Sequence, residues 1–118
     1  MPIPKRLQTQ PMSPSPNRVD DLLYDELKAV LETVMSAMLP ESDNRYYVEW
    51  LKQNLPGSYI SDLIYWPNEW FNDEKVLHVE LTADQILAYA MAKSGRRFAD
   101  APKGIELPYP LPEQRRKK

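Results

Sequence analysis

The chain has 118 residues, 42% of them hydrophobic, with 12 prolines, 3 glycines and no cysteine. That length supports one small domain, and the lack of thiols excludes a disulfide framework and a thiolate metal site, so packing has to hold the fold. No stretch approaches the ~18 consecutive apolar residues of a membrane span, which makes the cytoplasm the default compartment.

The formal net charge of -2 conceals a division: residues 1–18 carry three basic and no acidic residues, and residues 96–118 carry seven basic against three acidic. Residues 19–95 between them hold five basic and fourteen acidic residues, a balance of -9. An acidic body between basic ends repels nucleic acid and attracts basic proteins, chiefly by raising encounter rates. The same charge also serves plain solubility.

In chain order, residues 1–17 contain Pro2, Pro4, Pro11, Pro14 and Pro16 among Ser, Thr and Gln. Such a segment cannot sustain a backbone hydrogen-bond ladder and is expected to be a disordered tail. From Val19, apolar residues at Leu22, Leu23, Leu27, Val30, Leu31, Val34, Met35 and Met38 follow the spacing of one helical face. Asn17 suits the N-cap, Asp20 and Asp21 suit the positive end of the dipole, and Pro40 ends the helix. Met35 and Met38 read as core filling.

A second helix is expected from an N-cap at Ser42 or Asp43 to Leu55, stopped by Pro56 and Gly57. Tyr47, Val48, Leu51 and Leu55 form its core stripe, and Tyr46, Glu49, Trp50 and Gln53 lie on the neighbouring face, with burial favoured for Trp50. Residues 58–66 are too short and aromatic to classify by period: a strand or a single helical turn closed by Pro67 both fit. Residues 68–81 read as a loop holding Trp70 and Phe71, with an extended run over 76–81. Thr82 and Gln85 then form a capping box for a helix with Ile86, Leu87, Ala90 and Met91 on its apolar face and Gly95 as its C-cap. Pro102, Pro108, Pro110 and Pro112 rule out another long helix, and Arg115, Arg116, Lys117 and Lys118 make a solvated end. The expected fold is all-α, a small four-helix domain with a very short third helix over residues 18–98, flanked by Pro-rich tails at 1–17 and 99–118.

Catalysis finds little support. His78 is the only histidine, and no Ser nucleophile has a base beside it. The acidic pairs Asp20 and Asp21, Asp25 and Glu26, and Asp73 and Glu74 are sequence neighbours, which point to different helix faces. His78 with Glu80 offers two ligands, too few for a metal site, so no metal or other cofactor is expected. The chain is expected not to be an enzyme. The basic C-terminus offers only weak, non-selective phosphate contacts, so direct nucleic-acid binding is not expected either.

The order of helices, the segment SDLIYWP at residues 61–67 and the capped LTADQILAYAMAKSGR at 81–96 resemble the immunity proteins of nuclease colicins and pyocins. In that family a four-helix acidic domain carries DLIYYP on its short third helix, and the fourth helix begins with a capped Ser-Pro stretch. The resemblance covers residues 19–98 in element order, and identity is dense over residues 61–67. It implies that Tyr65 and Trp66 are exposed anchors, that Asp62 is the aspartate of the motif, and that Leu63 and Ile64 are buried. It further implies that the second helix supplies specificity through Tyr46, Glu49, Asp43 and Arg45. Trp66 replaces the family's second tyrosine, the turn before Asp62 is longer, the 68–81 loop is expanded and both tails are extra.

On this basis the chain is expected to bind and inhibit a cognate basic nuclease toxin. Tyr65 and Trp66 would anchor the contact while Asp62 and the acidic face pair with basic residues. Two alternatives stand beside it: Tyr65 and Trp66 plug the core, or the chain is a small helical adaptor that binds its partners through its tails.

Overall fold

The structure is a computed structural model that describes residues 20–73 and 80–109. The expected N-terminal tail, the cap at Asn17, Val19, His78, most of the extended run over 76–81 and the basic C-terminal residues lie outside those residues. The described residues are all-helical: α1 (Tyr24–Met35), α2 (Glu41–Asn54), α3 (Ile60–Tyr65), α4 (Pro67–Phe71) and α5 (Ala83–Ser94). The helix α1 packs on α2 and α5, and α3 packs on α2, α4 and α5.

Leu27, Val30, Leu31 and Val34 of α1 recur one helical turn apart and are buried, as the periodicity predicts. The helix is shorter than expected at both ends. It begins at Tyr24, because Leu23 is extended (φ -97°, ψ 154°) and its N–H donates to the Glu26 carboxylate at 3.1 Å. Leu23 has no side-chain oxygen with which to cap the helix. Asp100 supplies the acceptor instead, from the other end of the domain, taking the backbone N–H groups of Tyr24 (2.7 Å) and Asp25 (3.2 Å). At the C-terminal end Ala37 turns left-handed (φ 60°) and leaves the helix. Met38 is therefore off the helical period and 81% exposed, and Met35 is 38% exposed, so neither fills the core as expected.

The helix α2 starts at Glu41 with Pro40 as N-cap, placing Ser42 and Asp43 inside the first turn and not at the cap. Its buried face is Tyr47, Trp50, Leu51 and Asn54, followed by fully buried Leu55. Residues 60–65 resolve the strand-or-turn ambiguity as helix, with Ile60 and Leu63 buried. The expected loop from residue 68 instead opens with α4, so the described residues hold five helices where four were expected. Pro67 occupies the first turn of α4, where its missing N–H costs nothing. Trp70 donates its indole N–H to the Ser58 carbonyl at 2.6 Å, and Phe71 is buried edge-on against Tyr89 at 4.9 Å. Asn72, left-handed at φ 56°, closes the helix.

Thr82 and Gln85 cap α5 reciprocally, at 3.0 and 3.1 Å, and Gly95 ends it with φ 80°. Residues 99–109 of the expected tail bond to the helices. Besides Asp100 on α1, the Glu106 carbonyl accepts from Gln85 at 3.0 Å. The Tyr89 hydroxyl donates to the Tyr109 carbonyl (2.6 Å) and accepts the Tyr109 N–H (2.9 Å). Ala101, Leu107 and Tyr109 pack against the core. Prolines and glycine in this strap rule out a helix, but they leave side chains and backbone groups free to bond elsewhere. Among the described residues no helix is long and apolar enough to cross a membrane.

Candidate protein-interaction surface

The corner between α3 and α4 is a single residue, Trp66. Pro67 pushes the residue before it out of the helical region, and Trp66 accordingly has φ -140° and ψ 65°. Its backbone is nonetheless fully engaged. Its N–H donates to the Asp62 carbonyl at 2.7 Å, and its carbonyl accepts from Glu69 at 2.8 Å and Trp70 at 3.3 Å. Two helices thus clamp the backbone while the indole, 57% exposed, points to solvent. Tyr65 is 44% exposed beside it, and its hydroxyl accepts from the Asn44 side chain of α2 at 3.2 Å. The core-plug alternative is set aside by these exposures. Leu63 is buried, whereas Ile64, expected to be buried as well, is only half-buried.

The acidic side chains expected here are at the surface. Asp62 and Asp43 are half-buried, and half-buried Glu49 pairs with Lys52 at 2.8 Å. Arg45 is exposed and pairs with Glu41 at 3.1 Å, one turn back on α2. Exposed pairs of this kind contribute ~0–1 kcal/mol and exchange readily for partners on another molecule. Tyr46 is half-buried with its ring edge-on to Tyr47 at 5.2 Å. Of the α2 residues, the one the structure joins to Tyr65 is Asn44, which the sequence did not single out.

Two grooves flank Tyr65. One, of about 460 Å³, is walled by Val34, Met35, Ala37, Leu39, Ile64 and Tyr65 with Glu41 and Asn44 at its edge. The other, of about 350 Å³, is bounded by Leu63, Pro67, Leu81 and Ile86 with Glu80, and shares Met35, Ile64 and Tyr65 with the first. A third exposed aromatic, Tyr59, is 63% exposed and left-handed at φ 55° where it caps α3. No signal in the sequence marks it, because a left-handed tyrosine is uncommon. Among the described residues no three His, Asp or Glu side chains are grouped to hold a metal ion. What the arrangement offers is contact area: rigid aromatics beside two half-open grooves, the larger mainly apolar and the smaller more polar, each with a glutamate in its lining.

The chain is 32% identical over 63 residues to the uncharacterized protein YezA of Bacillus subtilis (strain 168), an alignment spanning 53% of this chain and 93% of YezA. No family model matches the chain, and no solved structure is significantly similar to it.

Proposed function

This chain belongs to the same family as YezA, whose description names no activity, and from the chain's own surface we propose that it is a bacteriocin-type immunity protein that binds and inhibits a basic nuclease toxin. One observation carries the proposal: a six-residue helix that buries Ile60 and Leu63 turns Tyr65 and Trp66 outward on a backbone fixed at both ends. Aromatic side chains held this way lose little entropy on docking, and buried aromatic anchors of ~2 kcal/mol each dominate many interfaces. The resemblance of SDLIYWP to the motif of nuclease immunity proteins supplies the class of partner.

In this proposal Tyr65 and Trp66 enter a dry contact at the centre. Asp62, Asp43 and Glu49 pair with lysines and arginines that the nuclease otherwise uses to hold phosphates, while Tyr46 and Arg45 border the contact on α2. Inhibition follows from covering that basic surface, so the chain needs neither a catalytic residue nor a cofactor. The acidic surface speeds encounter and makes association salt-sensitive.

The test is capture from the native host with the full chain and with the Tyr65→Ala, Trp66→Ala double variant, followed by nuclease assay of the eluted partner. The wild-type chain should retain a basic polypeptide whose nuclease activity it suppresses, and the double variant should bind it at least ~100-fold more weakly. Equal recovery of the partner by both proteins, or a partner with no nuclease activity, would overturn the proposal.

A further inference from the structure

We propose that the two grooves beside Tyr65 form one docking site for a basic amphipathic helix of the partner, whose apolar side chains enter both grooves and whose lysines or arginines meet Glu41 and Glu80. The inference deepens the preceding proposal and rests on its basic partner, but it concerns a different part of the surface: the end of α1 and the approach to α5.

Three observations carry it. The first is charge. Among the described residues Glu41 is the only charged side chain lining the larger, mainly apolar groove and Glu80 the only one lining the smaller, more polar groove; Glu41 pairs with Arg45 at 3.1 Å, an exposed pair that a partner's cation can replace. A complementary occupant is apolar on one face and basic beside it. The second is shape. Met35, Ile64 and Tyr65 wall both grooves, so an occupant reaching into the two must straddle a single ridge. Side chains one or two turns apart on a helix do this, as in other complexes where a helix lies in a groove. The third is the wall itself. Met35 is an exposed, unbranched side chain able to adjust to an incoming group. Ala37 holds a left-handed backbone that glycine would adopt more easily, a kind of strain that collects at binding sites.

The probes are three synthetic 14-residue helical peptides: leucine with lysine in amphipathic register, leucine with glutamate in the same register, and alanine with lysine, which keeps the charge without the anchors. Each is titrated into the full chain labelled with ¹⁵N, and amide shifts are followed by NMR. The leucine–lysine peptide should move the amides of Val34, Ala37, Asn44, Ile64, Tyr65 and Leu81. It should bind about tenfold or more tightly than either other peptide. Met35→Lys should weaken it about tenfold, since residue 35 is exposed and the change leaves the core intact, and so should Glu41→Lys with Glu80→Lys.

If the alanine–lysine peptide binds as well as the leucine–lysine one, or Met35→Lys has no effect, the docking site is refuted while a basic partner survives. If the leucine–glutamate peptide binds equally well, the preference for a basic partner falls with it. Shifts scattered over other acidic surfaces also refute the site.

Discussion

Replacing Asp100 with alanine tests whether the strap beyond α5 is part of the fold. The Asp100 carboxylate is the side-chain acceptor for the backbone N–H groups of Tyr24 and Asp25 at the start of α1, a helix whose own N-cap residue is leucine. Loss of an N-cap acceptor costs ~0.5–2 kcal/mol. A carboxylate at the positive end of the helix dipole contributes ~0.3–1 kcal/mol within that total. The Tyr24 N–H is half-buried and loses its partner outright, while the Asp25 N–H is exposed and turns to water. A cost of ~1–2 kcal/mol is therefore expected for Asp100→Ala, read from urea midpoints by tryptophan fluorescence. For a domain of this size each kcal/mol corresponds to a fall in Tm of roughly 4–8 °C. Asp100→Asn keeps one oxygen for the Tyr24 N–H but loses the charge and the second oxygen that takes the Asp25 N–H, so it should recover about half the difference. An alanine variant within ~0.3 kcal/mol of wild type would refute the assigned cap. Equal losses in the two variants would show that the charge and the second oxygen, and not the bond to the Tyr24 N–H, do the stabilising.

Ala37→Gly should stabilise the domain by ~0.5–1 kcal/mol, because relief of the left-handed strain exceeds the extra entropy glycine brings to the unfolded chain; an unchanged or lower urea midpoint contradicts this. Burial, with the Asp84 carboxylate at 2.7 Å, raises the Tyr24 hydroxyl pKa well above 10.0, and burial likewise raises that of Tyr89. Raised folded-state values leave stability complete below pH 10 and remove it as pH climbs further, by ~1.4 kcal/mol per pH unit for each tyrosine that only the unfolded chain ionises. Urea midpoints measured upward from pH 9 should show that decline, and Tyr24→Phe should flatten it; a flat wild-type profile would contradict the assignment. A chain ending at Phe98 should be less stable by ~2 kcal/mol or more than one ending at Tyr109, because it loses Asp100 and the paired bonds to Tyr89, and equal thermal midpoints for the two would remove the strap from the fold.

What the sequence made legible was local. The reciprocal Thr82 and Gln85 cap lies within four residues, so α5 could be read together with its glycine stop. The apolar period of α1 was equally visible, but the period continues through Leu22, Leu23 and Met38 where the helical backbone does not. The ends of α1 are set by Asp100 and by the turn at Ala37, neither of which periodicity reports. The helix α4 has five residues and no independent stability. It depends on the Trp70 bond to Ser58 and the seating of Phe71 against Tyr89, contacts with chain far away in sequence. Proline content made residues 99–109 look like a tail because composition records what backbone a segment cannot form, not what its side chains reach. On the surface, the outward turn of Tyr65 and Trp66 could be anticipated from the stop at Pro67 and the motif. The Asn44 bond to Tyr65 could not, since one polar residue in a first helical turn resembles any other.

Under the proposed function, the corner at Trp66 would separate two tasks that most interface residues perform together. Its geometry is imposed by Pro67 and by main-chain hydrogen bonds from both flanking helices, so the backbone path at this position does not depend on the side chain. Position 66 can therefore diverge among descendants, from indole to phenol or to an aliphatic group, with the domain still folding as before. If the chain binds a changing partner as proposed, its lineage would have, at this one residue, a place where preference can be rewritten without first being compensated elsewhere.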